Sequence, residues 1–276
     1  MSETTLLDVR DLTKSYASHG TMVHAVQAVS FSVGRGGSIG IVGESGSGKS
    51  TTARMLVGLE QPDAGSIHVE GVPVRSGRLT PDDRRRQARA IQMVFQDPYL
   101  SLDPRMRVGD ALDAVLRLHG THDRAQRRAR THQLLESVGL GEREADSLPR
   151  RLSGGQRQRV AIARALAVEP TVLVLDEAVS ALDVSVQAQV LNLLNDIRAS
   201  TGIGLVFVSH DLAVVRHVSD SCLVMQNGQV VEQGPTRSLL DSPAHPYTRL
   251  LLAAVPRRGW DPEAISAMRQ GASARE

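Results

Sequence analysis

The 276 residues give room for one large α/β domain, or for a main domain with a smaller lobe. The formal net charge of +2 comes from 32 basic and 30 acidic residues, and this balance argues neither for nor against a nucleic-acid partner. Cys222 is the only cysteine, which excludes an internal disulfide and any metal or iron–sulfur site built from cysteines alone. It lies in the apolar run SCLVM, where we expect a small buried side chain.

The first residues do not have the pattern of a secretory signal, and no apolar run approaches the length needed to span a bilayer. MSETTLLDVR contains acidic residues and lacks the apolar core of a secretory signal. The longest apolar candidates, near Leu250–Val255, fall well short of 18 residues. We therefore expect a soluble chain whose membrane role, if it has one, comes through a partner.

The first segments alternate in the manner of strands. We predict strands over Leu6–Leu12 and Ala25–Val33. The second has apolar positions at Val26, Ala28 and Phe31. Tyr16 is predicted to lie in a polar loop between the two strands. An aromatic side chain there could stack on an adenine ring, and the alternative is a half-buried residue at the edge of a sheet.

A phosphate-binding loop follows at SIGIVGESGSGKSTT, residues 38–52. A strand over Ile39–Val42 runs into a glycine-rich turn and then into a helix predicted over Thr51–Leu59. Glycines permit positive φ angles and leave backbone N–H groups open to phosphate oxygens, and the start of the helix adds its positive dipole. Lys49 would reach the β- and γ-phosphates, and the Ser50 hydroxyl would bind Mg²⁺. The residues expected to hold the nucleotide here are Gly43, Glu44, Ser45, Gly46, Ser47, Gly48, Lys49, Ser50 and Thr51.

The scarcity of lysine in the chain favours a phosphate-binding loop over a chance glycine-rich turn. Only Lys14 and Lys49 are lysines, among 32 basic residues. A chain that otherwise uses arginine keeps a compact ammonium group where a guanidinium would crowd the phosphates.

Short elements fill the stretch up to residue 97. We predict a turn at Pro62–Gly65, a hairpin over Ser66–Val74 around Glu70-Gly71, and a strand over Ile91–Phe95 that ends before Gln96. The arginine-rich segment 75–90 reads as a solvated helix. Two helical patterns then lie between Val108 and Leu140, and they predict an all-helical lobe over about 98–152 that interrupts the α/β core.

The second half of the chain carries further phosphate chemistry. LSGGQ begins at Leu152 and opens a helical pattern, so Ser153 and two glycines form a second anion-binding surface. Thr171–Leu175 is a buried strand that ends in Asp176 and Glu177, at the sheet edge where α/β folds bind ligands. Asp176 would hold Mg²⁺ through water, and Glu177 could take a proton from the attacking water.

The next elements place two more candidate residues. Asp183 is predicted as the N-cap of a helix over Val184–Ala199. His210 follows a buried strand over Ile203–Val208 and is predicted to contact the γ-phosphate, although a lone histidine is more often structural. A hairpin over Ser221–Glu232 turns at Asn227-Gly228. Short helices are expected at Thr236–Leu240 and Pro246–Val255, and the tail from Pro256 reads as polar and loosely ordered.

The order of these motifs resembles the ATP-binding subunit of an ABC transporter, over about residues 5–255. The motifs are the loop from Gly43, Gln96, LSGGQ, LVLDE ending at Glu177, SALD at Ser180, and His210. The resemblance implies a P-loop NTPase core with a mostly parallel sheet, an antiparallel β lobe and an inserted helical lobe. It divides the chain into a core with β lobe (5–97 and 153–234), a helical lobe (98–152) and a C-terminal extension and tail (235–276).

The resemblance also implies a site shared between two subunits. Two cassettes, identical or paralogous, would enclose two ATP molecules head to tail. Each ATP would lie between one phosphate loop and Ser153, Gly154, Gly155 and Gln156 of the facing chain. Gln96 would contact Mg²⁺ or the attacking water and sense the transporter, and Asp183 would line the dimer seam. The resemblance thus gives Glu177, His210, Gln96 and Lys49 as catalytic residues, ATP and Mg²⁺ as cofactors, and Ser50, Gln96 and Asp176 as metal ligands.

Two stretches are similar to the importers of dipeptides, oligopeptides and nickel. They are FQDPYLSLDPRM from Phe95 and HPYTRLLLAAVP from His245, and the second lies outside the catalytic motifs. This resemblance implies two permease subunits, an external solute-binding protein acting indirectly, no nucleic acid, and a peripheral position on the cytoplasmic face of the inner membrane. The chain departs from its relatives at Ala178-Val179, where they usually have Pro-Thr. Its tail also lacks the cysteines of some relatives, so no iron–sulfur cluster is implied.

The rival interpretations fit the spacing less well. A DNA-maintenance ATPase of the same superfamily would place a coiled coil or zinc module before LSGGQ, and the segment 97–152 is too short for the first and lacks cysteines for the second. A translation-type ABC protein needs two cassettes. A simple P-loop kinase would leave LSGGQ and His210 unexplained.

Overall fold

Two β-sheets and a set of helices make up the part of the chain described by the computed structural model, residues 4–18, 21–97, 101–120 and 123–254. The first sheet consists of β1 (Thr5–Ser18), β2 (Thr21–Gly34), β4 (Ala64–Val69) and β5 (Val72–Pro73). Its order is β2-β1-β4-β5, and every neighbouring pair is antiparallel. This sheet is the antiparallel β lobe.

The strands β1 and β2 are much longer than predicted, and this moves Tyr16 out of the expected loop. The ladder between them continues to the pair Ser18 and Thr21, and Tyr16 pairs with Val23 inside it. The expectation of a loop at Tyr16 is therefore wrong. This end of the ladder is exposed, so it lacks the alternation of buried and polar residues that marks a strand in sequence.

A bulge in β2 also changes which residues face the core. Ala28 has a φ of +51° and is exposed, while its neighbour Val29 is fully buried. The Ala28 N–H donates to the Thr13 hydroxyl at 3.2 Å, next to register shifts in β1. Ala28, one of the apolar residues of the predicted strand, therefore does not face the core, because an irregular ladder carries the inward-facing positions one residue further.

The second sheet has six strands in the order β10-β9-β3-β8-β7-β6. Adjacent strands run parallel except for the hairpin of β9 and β10. Their bounds are β3 Ser38–Val42, β6 Ile91–Val94, β7 Val172–Asp176, β8 Gly204–Ser209, β9 Ser221–Gln226 and β10 Gln229–Pro235. Every residue of β3, β7 and β8 is buried, as expected of central parallel strands covered on both faces.

Ten helices are described. They are α1 Lys49–Leu56, α2 Pro81–Ala90, α3 Val108–Leu118, α4 Arg124–Ser137, α5 Glu142–Ala145, α6 Gly154–Leu166, α7 Val184–Thr201, α8 Leu212–Val218, α9 Thr236–Asp241 and α10 Pro246–Ala253. Helix α1 ends before the predicted Leu59, because Gly58 takes a φ of +73° just beyond its end. Within the described ranges, no helix has both the length and the apolar character needed to cross a membrane. The predicted tail from Pro256 lies outside the described residues.

Alternate residues along the central strands of the six-stranded sheet pack into two different hydrophobic clusters. Val174 and Val206 belong to the cluster shared with α1 and the β lobe. Leu173 and Phe207 belong to the cluster shared with the helical lobe and helices α6–α8. The sheet is thus covered on both faces, as the α/β prediction requires, and the predicted fold class is confirmed.

The carboxyl ends of four parallel strands meet at one edge of this sheet. Val42 pairs with Ser209, Asp176 with Val208, and Val94 with Leu175. The residues that follow β3, β6, β7 and β8 therefore emerge side by side. This is the edge where open α/β sheets bind their ligands.

Candidate nucleotide-binding site

Two glycines of the loop between β3 and α1 occupy positions that no other residue fits. Gly43 has a φ of +155°, and a Cβ on it would lie 2.3 Å from the Met225 carbonyl oxygen. Gly48 has a φ of +101°, and a Cβ on it would lie 2.1 Å from the Ala25 carbonyl oxygen. The loop is therefore pressed against β2 and β9, and glycine is required by contact as well as by conformation.

The hairpin of β9 and β10 supports the same loop from behind. The Gly228 N–H donates to the Ser47 carbonyl at 3.1 Å, and the Gln27 N–H donates to the Gly228 carbonyl at 2.8 Å. The turn residues Asn227 and Gly228 both have positive φ, as predicted for a two-residue hairpin turn. The hairpin turn therefore links the loop to β2 through backbone hydrogen bonds.

Lys49 lies at the start of α1 with its ammonium group directed into the loop. Its Nζ donates to the carbonyls of Gly43 (2.8 Å) and Glu44 (2.7 Å), and the residue is only 5% exposed. Burial lowers the pKa of Lys49, and the nearby carboxylates of Glu177, Asp176 and Glu44 oppose this shift. Gly48 precedes the helix without a side-chain cap, so the helix N-terminus presents backbone N–H groups, which suits an anion.

A hydroxyl and a carboxylate meet where the loop faces β7. The Ser50 Oγ donates to Asp176 Oδ1 at 3.1 Å. Burial raises the pKa of Asp176, and the hydrogen bond from Ser50 opposes this shift. Paired oxygen ligands of this kind suit Mg²⁺, which takes few protein ligands and completes its shell with water and phosphate. Among the described residues, no group of three His, Cys, Asp or Glu side chains is placed to hold a metal ion.

Glu177 is held in a strained backbone conformation beside this pair. Its φ is +47°. Its N–H donates to the Val208 carbonyl at 2.9 Å, and its own carbonyl accepts from the Ser180 N–H at 3.1 Å and from the Ser180 hydroxyl at 2.9 Å. A non-glycine residue at positive φ persists only when its surroundings fix it, and such residues cluster at functional sites.

The side chains around Glu177 form one connected group. Glu177 Oε1 lies 3.1 Å from His210 Nδ1, and the two side chains are 19% and 58% exposed. The Gln96 amide donates to the Ser180 hydroxyl at 3.5 Å. Sequence reasoning gave Ser180 no role beyond its motif, yet its hydroxyl links the Gln96 side chain to the Glu177 carbonyl.

The LSGGQ segment begins α6 with a reciprocal cap. The Gln156 N–H donates to Ser153 Oγ at 3.2 Å, and the Ser153 N–H donates to Gln156 Oε1 at 2.9 Å. Ser153 and Gly154 are exposed, whereas a Cβ on Gly155 would lie 2.3 Å from Val186 Cγ1. The side-chain hydrogen bonds described for Ser153 and Gln156 either join these two residues to each other or reach the neighbouring helical lobe, where the Gln156 amide donates to Glu144 at 3.4 Å. They do not join this helix to the phosphate loop of the same chain.

Two predicted residues behave differently from expectation. Asp183 stands at the N-cap position of α7, but its side chain makes no capping hydrogen bond, so the predicted cap is wrong in that respect. Its main-chain carbonyl instead accepts from the Gln187 N–H at 2.8 Å. The Tyr16 ring is 38% exposed and lies 5.3 Å from Lys14 Nζ, a distance typical of a cation–π contact. Stacking of Tyr16 on adenine remains a prediction.

The fold and the loop together define a P-loop nucleotide-binding protein. A family model described as ABC transporter matches residues 26–180, and one described as oligopeptide/dipeptide transporter, C-terminal region, matches residues 231–273. The chain therefore belongs to the ABC transporter family of ATP-binding cassettes, and it is an ATPase.

Individual relatives agree with this assignment. The di/tripeptide transport ATP-binding protein DppF of Pseudomonas aeruginosa is 47% identical over 94% of this chain and 81% of its own length. The glutathione import ATP-binding protein GsiA of Escherichia coli is 50% identical over 85% of this chain, which corresponds to 37% of GsiA. Among solved structures, the dimeric ATP-binding cassette MJ0796 bound to ADP and Pi has a TM-score of 0.75 and 29% identity, over 84% of this chain and 99% of that one.

Proposed function

We propose that this chain is the ATP-hydrolysing subunit of an importer of peptides or a related small solute, working with separate membrane subunits. Two findings support the cargo class. The relatives at 47% and 50% identity are named for di/tripeptide transport and glutathione import, and the C-terminal region matches a family model of oligopeptide and dipeptide transporters. We retain 5–97 and 153–234 as the nucleotide-binding core with its β lobe, 98–152 as the helical lobe, and 235–276 as the C-terminal extension.

The triphosphate would bind on the loop 43–51, with Lys49 and the start of α1 neutralising its charge. Lys49 now donates to two loop carbonyls, so binding would turn its ammonium group from those carbonyls to the phosphates. Ser50 and Asp176 would hold Mg²⁺, with Gln96 completing the set from the end of β6. The ion would supply charge stabilisation at the phosphates.

The hydrogen-bonded pair of Glu177 and His210 carries the assignment of hydrolysis. Glu177 lies beside Asp176 at the sheet edge, and its backbone is fixed from both sides by Val208 and Ser180. A carboxylate that is mostly shielded from solvent and oriented by a histidine is placed to take the proton of an attacking water. His210 is the more exposed partner and would contact the γ-phosphate.

The exposed start of α6 supports a site completed by a second subunit. Ser153 and the two glycines after it stand at a helix terminus that suits an anion, yet among the described residues the Ser153 hydroxyl and N–H bond only to Gln156 of the same segment. The similar cassette MJ0796 is dimeric with ADP and Pi bound. We propose that Ser153, Gly154, Gly155 and Gln156 of one subunit cover the nucleotide on the loop of the other, with Asp183 at the seam. Hydrolysis would then depend on closure of the dimer.

Replacement of Glu177 tests this proposal. Glu177→Gln preserves size but removes the base, so hydrolysis should fall by about 10²- to 10⁴-fold while ATP binding persists. The closed dimer should then accumulate, which size-exclusion chromatography with MgATP would detect. Glu136→Gln, at an exposed position of α4, is the matched control and should hydrolyse ATP normally. Near-normal turnover in Glu177→Gln would refute the assigned role.

The contact with the membrane subunits is proposed at a cleft of about 350 Å³ beside the strand that leads to Gln96. Leu59 and Leu118, which are 61% and 57% exposed, border this cleft together with Phe95. Leu118→Glu should leave the ATPase activity of the isolated subunit intact but abolish its recovery with membranes that contain the cognate permease. Val72→Glu, at an exposed apolar position of the β lobe, should change neither. Retention of Leu118→Glu on those membranes would place the contact elsewhere.

The cargo is tested in cells that lack this subunit. Wild-type chain should restore uptake of a radiolabelled tripeptide, and Glu177→Gln should not. If uptake never depended on the chain while DNA stimulated its ATPase activity, a role in DNA maintenance would replace the importer.

A further inference from the structure

The peptide group that joins Gly43 to Glu44 is held at both of its polar atoms. Its carbonyl, on Gly43, accepts from Lys49 Nζ at 2.8 Å. Its N–H, on Glu44, donates to the Tyr247 hydroxyl at 3.1 Å. One contact comes from the phosphate loop itself, and the other comes from α10, which is 203 residues further along the chain.

Tyr247 is fixed in place by packing and by backbone contacts. It is 8% exposed and belongs to the buried cluster that contains Val42, the last residue of β3. Pro246 occupies the first turn of α10, and the His245 ring caps the helix by accepting from the Tyr247 N–H at 3.2 Å. The hydroxyl is therefore directed at the loop by a rigid support.

A carboxylate of the core sheet anchors the segment that leads into α10. Glu232 on β10 accepts from the Ala244 N–H at 2.8 Å and from the His245 N–H at 3.1 Å. Since β10 pairs with β9 and β9 pairs with β3, the Tyr247 hydroxyl is tied to the same sheet that carries the phosphate loop. The start of α10 is therefore held close to the loop by contacts on both sides of Pro246.

We propose that Tyr247 is a positioning residue that holds the phosphate loop in its binding conformation from the C-terminal extension. This rests on the proposed nucleotide site. When Lys49 turns towards the phosphates it releases the Gly43 carbonyl, while the Tyr247 hydroxyl continues to hold the N–H of this peptide group. A peptide rotation at that point would disturb the N–H groups that follow it in the loop, and the loop would present fewer donors to the nucleotide.

Tyr247→Phe tests the proposal, because it removes the hydroxyl and keeps the buried ring. The loss of one neutral hydrogen bond should raise the Kd for ATP and the KM of hydrolysis by about two- to tenfold. The kcat should stay near the wild-type value, because the loop grips the nucleotide in the ground state and in the transition state alike. An unchanged Kd and KM would overturn the proposal.

The matched control is Leu251→Ala on the same helix. Leu251 packs against the same buried cluster, and its side chain has no polar group that could bond to the loop. It should lower the melting temperature at least as much as Tyr247→Phe does, while KM stays within about twofold of wild type, since only packing is lost. If Leu251→Ala raised KM as much as Tyr247→Phe, the effect would come from general docking of α10, and the positioning role would be refuted.

A double-mutant cycle identifies the partner of the hydroxyl. Glu44→Pro removes the N–H that Tyr247 contacts, so adding Tyr247→Phe to it should raise KM no further. Full additivity of the two changes would refute the contact. Should Glu44→Pro fail to fold, amide hydrogen exchange at Glu44 gives the same information, because exchange must be faster in Tyr247→Phe than in wild type.

Two reference measurements keep this proposal separate from the nucleotide site itself. Wild-type chain must bind ATP and Lys49→Ala must lose that binding. If either result is not obtained, the proposed nucleotide site fails. If both hold and Tyr247→Phe is indistinguishable from wild type, only the role of Tyr247 fails.

Discussion

Replacement of Gly46 tests the phosphate loop, because the effect of the substitution on stability can be separated from its effect on ATP binding. Its φ is +82°, and a Cβ on it would meet no protein atom within 4 Å. Gly46→Ala therefore introduces only the strain of a left-handed backbone, about 1–2 kcal/mol. For a domain of this size, that strain lowers the melting temperature by about 2–8 °C.

Gly71 is the matched control, since it has a φ of +76° and equally open surroundings in the turn between β4 and β5. Gly71→Ala should lower the melting temperature by a similar amount and leave ATP binding unchanged. Gly46→Ala should also weaken ATP binding by more than about tenfold, because relief of the strain turns loop N–H groups away from the phosphates. Fluorescence titration with a labelled ATP analogue and a thermal melt measure both quantities. Wild-type affinity in Gly46→Ala, or equal losses in both variants, would refute the reasoning.

The remaining predictions concern packing, capping and reactivity. Burial raises the pKa of Cys222 to about 11. Its alkylation by iodoacetamide at pH 8, followed by mass spectrometry, should therefore be at least about a hundredfold slower in the native chain than in urea. Rapid labelling of the native chain would contradict the burial of this thiol. Gly155→Ala should lower the free energy of unfolding by about 1–3 kcal/mol, because the added methyl group overlaps with Val186. Adding Val186→Ala to this variant should recover part of that loss, as measured by denaturant unfolding. No recovery would place the strain elsewhere. Asp211→Ala should lower the free energy of unfolding by about 1 kcal/mol, because the Asp211 carboxylate caps α8. Asp183→Ala should leave the free energy of unfolding of the isolated subunit nearly unchanged, because the Asp183 side chain makes no capping hydrogen bond. Equal losses in the two variants would contradict this difference in capping.

The sequence predicted best where a motif lies at the end of a fully buried strand. The strands before Gly43, Asp176 and His210 are short apolar runs, and the parallel ladder brings their ends together as expected. The hairpin turn at Asn227-Gly228 and the start of α6 were also predictable, because each depends on residues within four positions of one another.

The features that the sequence did not predict depend on distant or irregular contacts. The bulge at Ala28 depends on the pairing of β2 with β1, and nothing in the local alternation marks it. Asp183 has the residue type and position of a cap, but its side chain makes no capping hydrogen bond. Tyr247 meets Glu44 across 203 residues, and the only signal was a resemblance in its segment that the catalytic motifs did not explain.

The central claim is that each nucleotide is enclosed by two subunits, and complementation between inactive variants tests it most directly. Ser153→Arg should block the covering helix and Lys49→Ala should disable the phosphate loop, so each variant alone should be inactive. In an equimolar mixture that exchanges subunits, half of the dimers are mixed and each has one intact site, so about a quarter of the wild-type ATPase rate should return. Full activity of Ser153→Arg alone, or no recovery although mixed dimers form, would contradict the shared site.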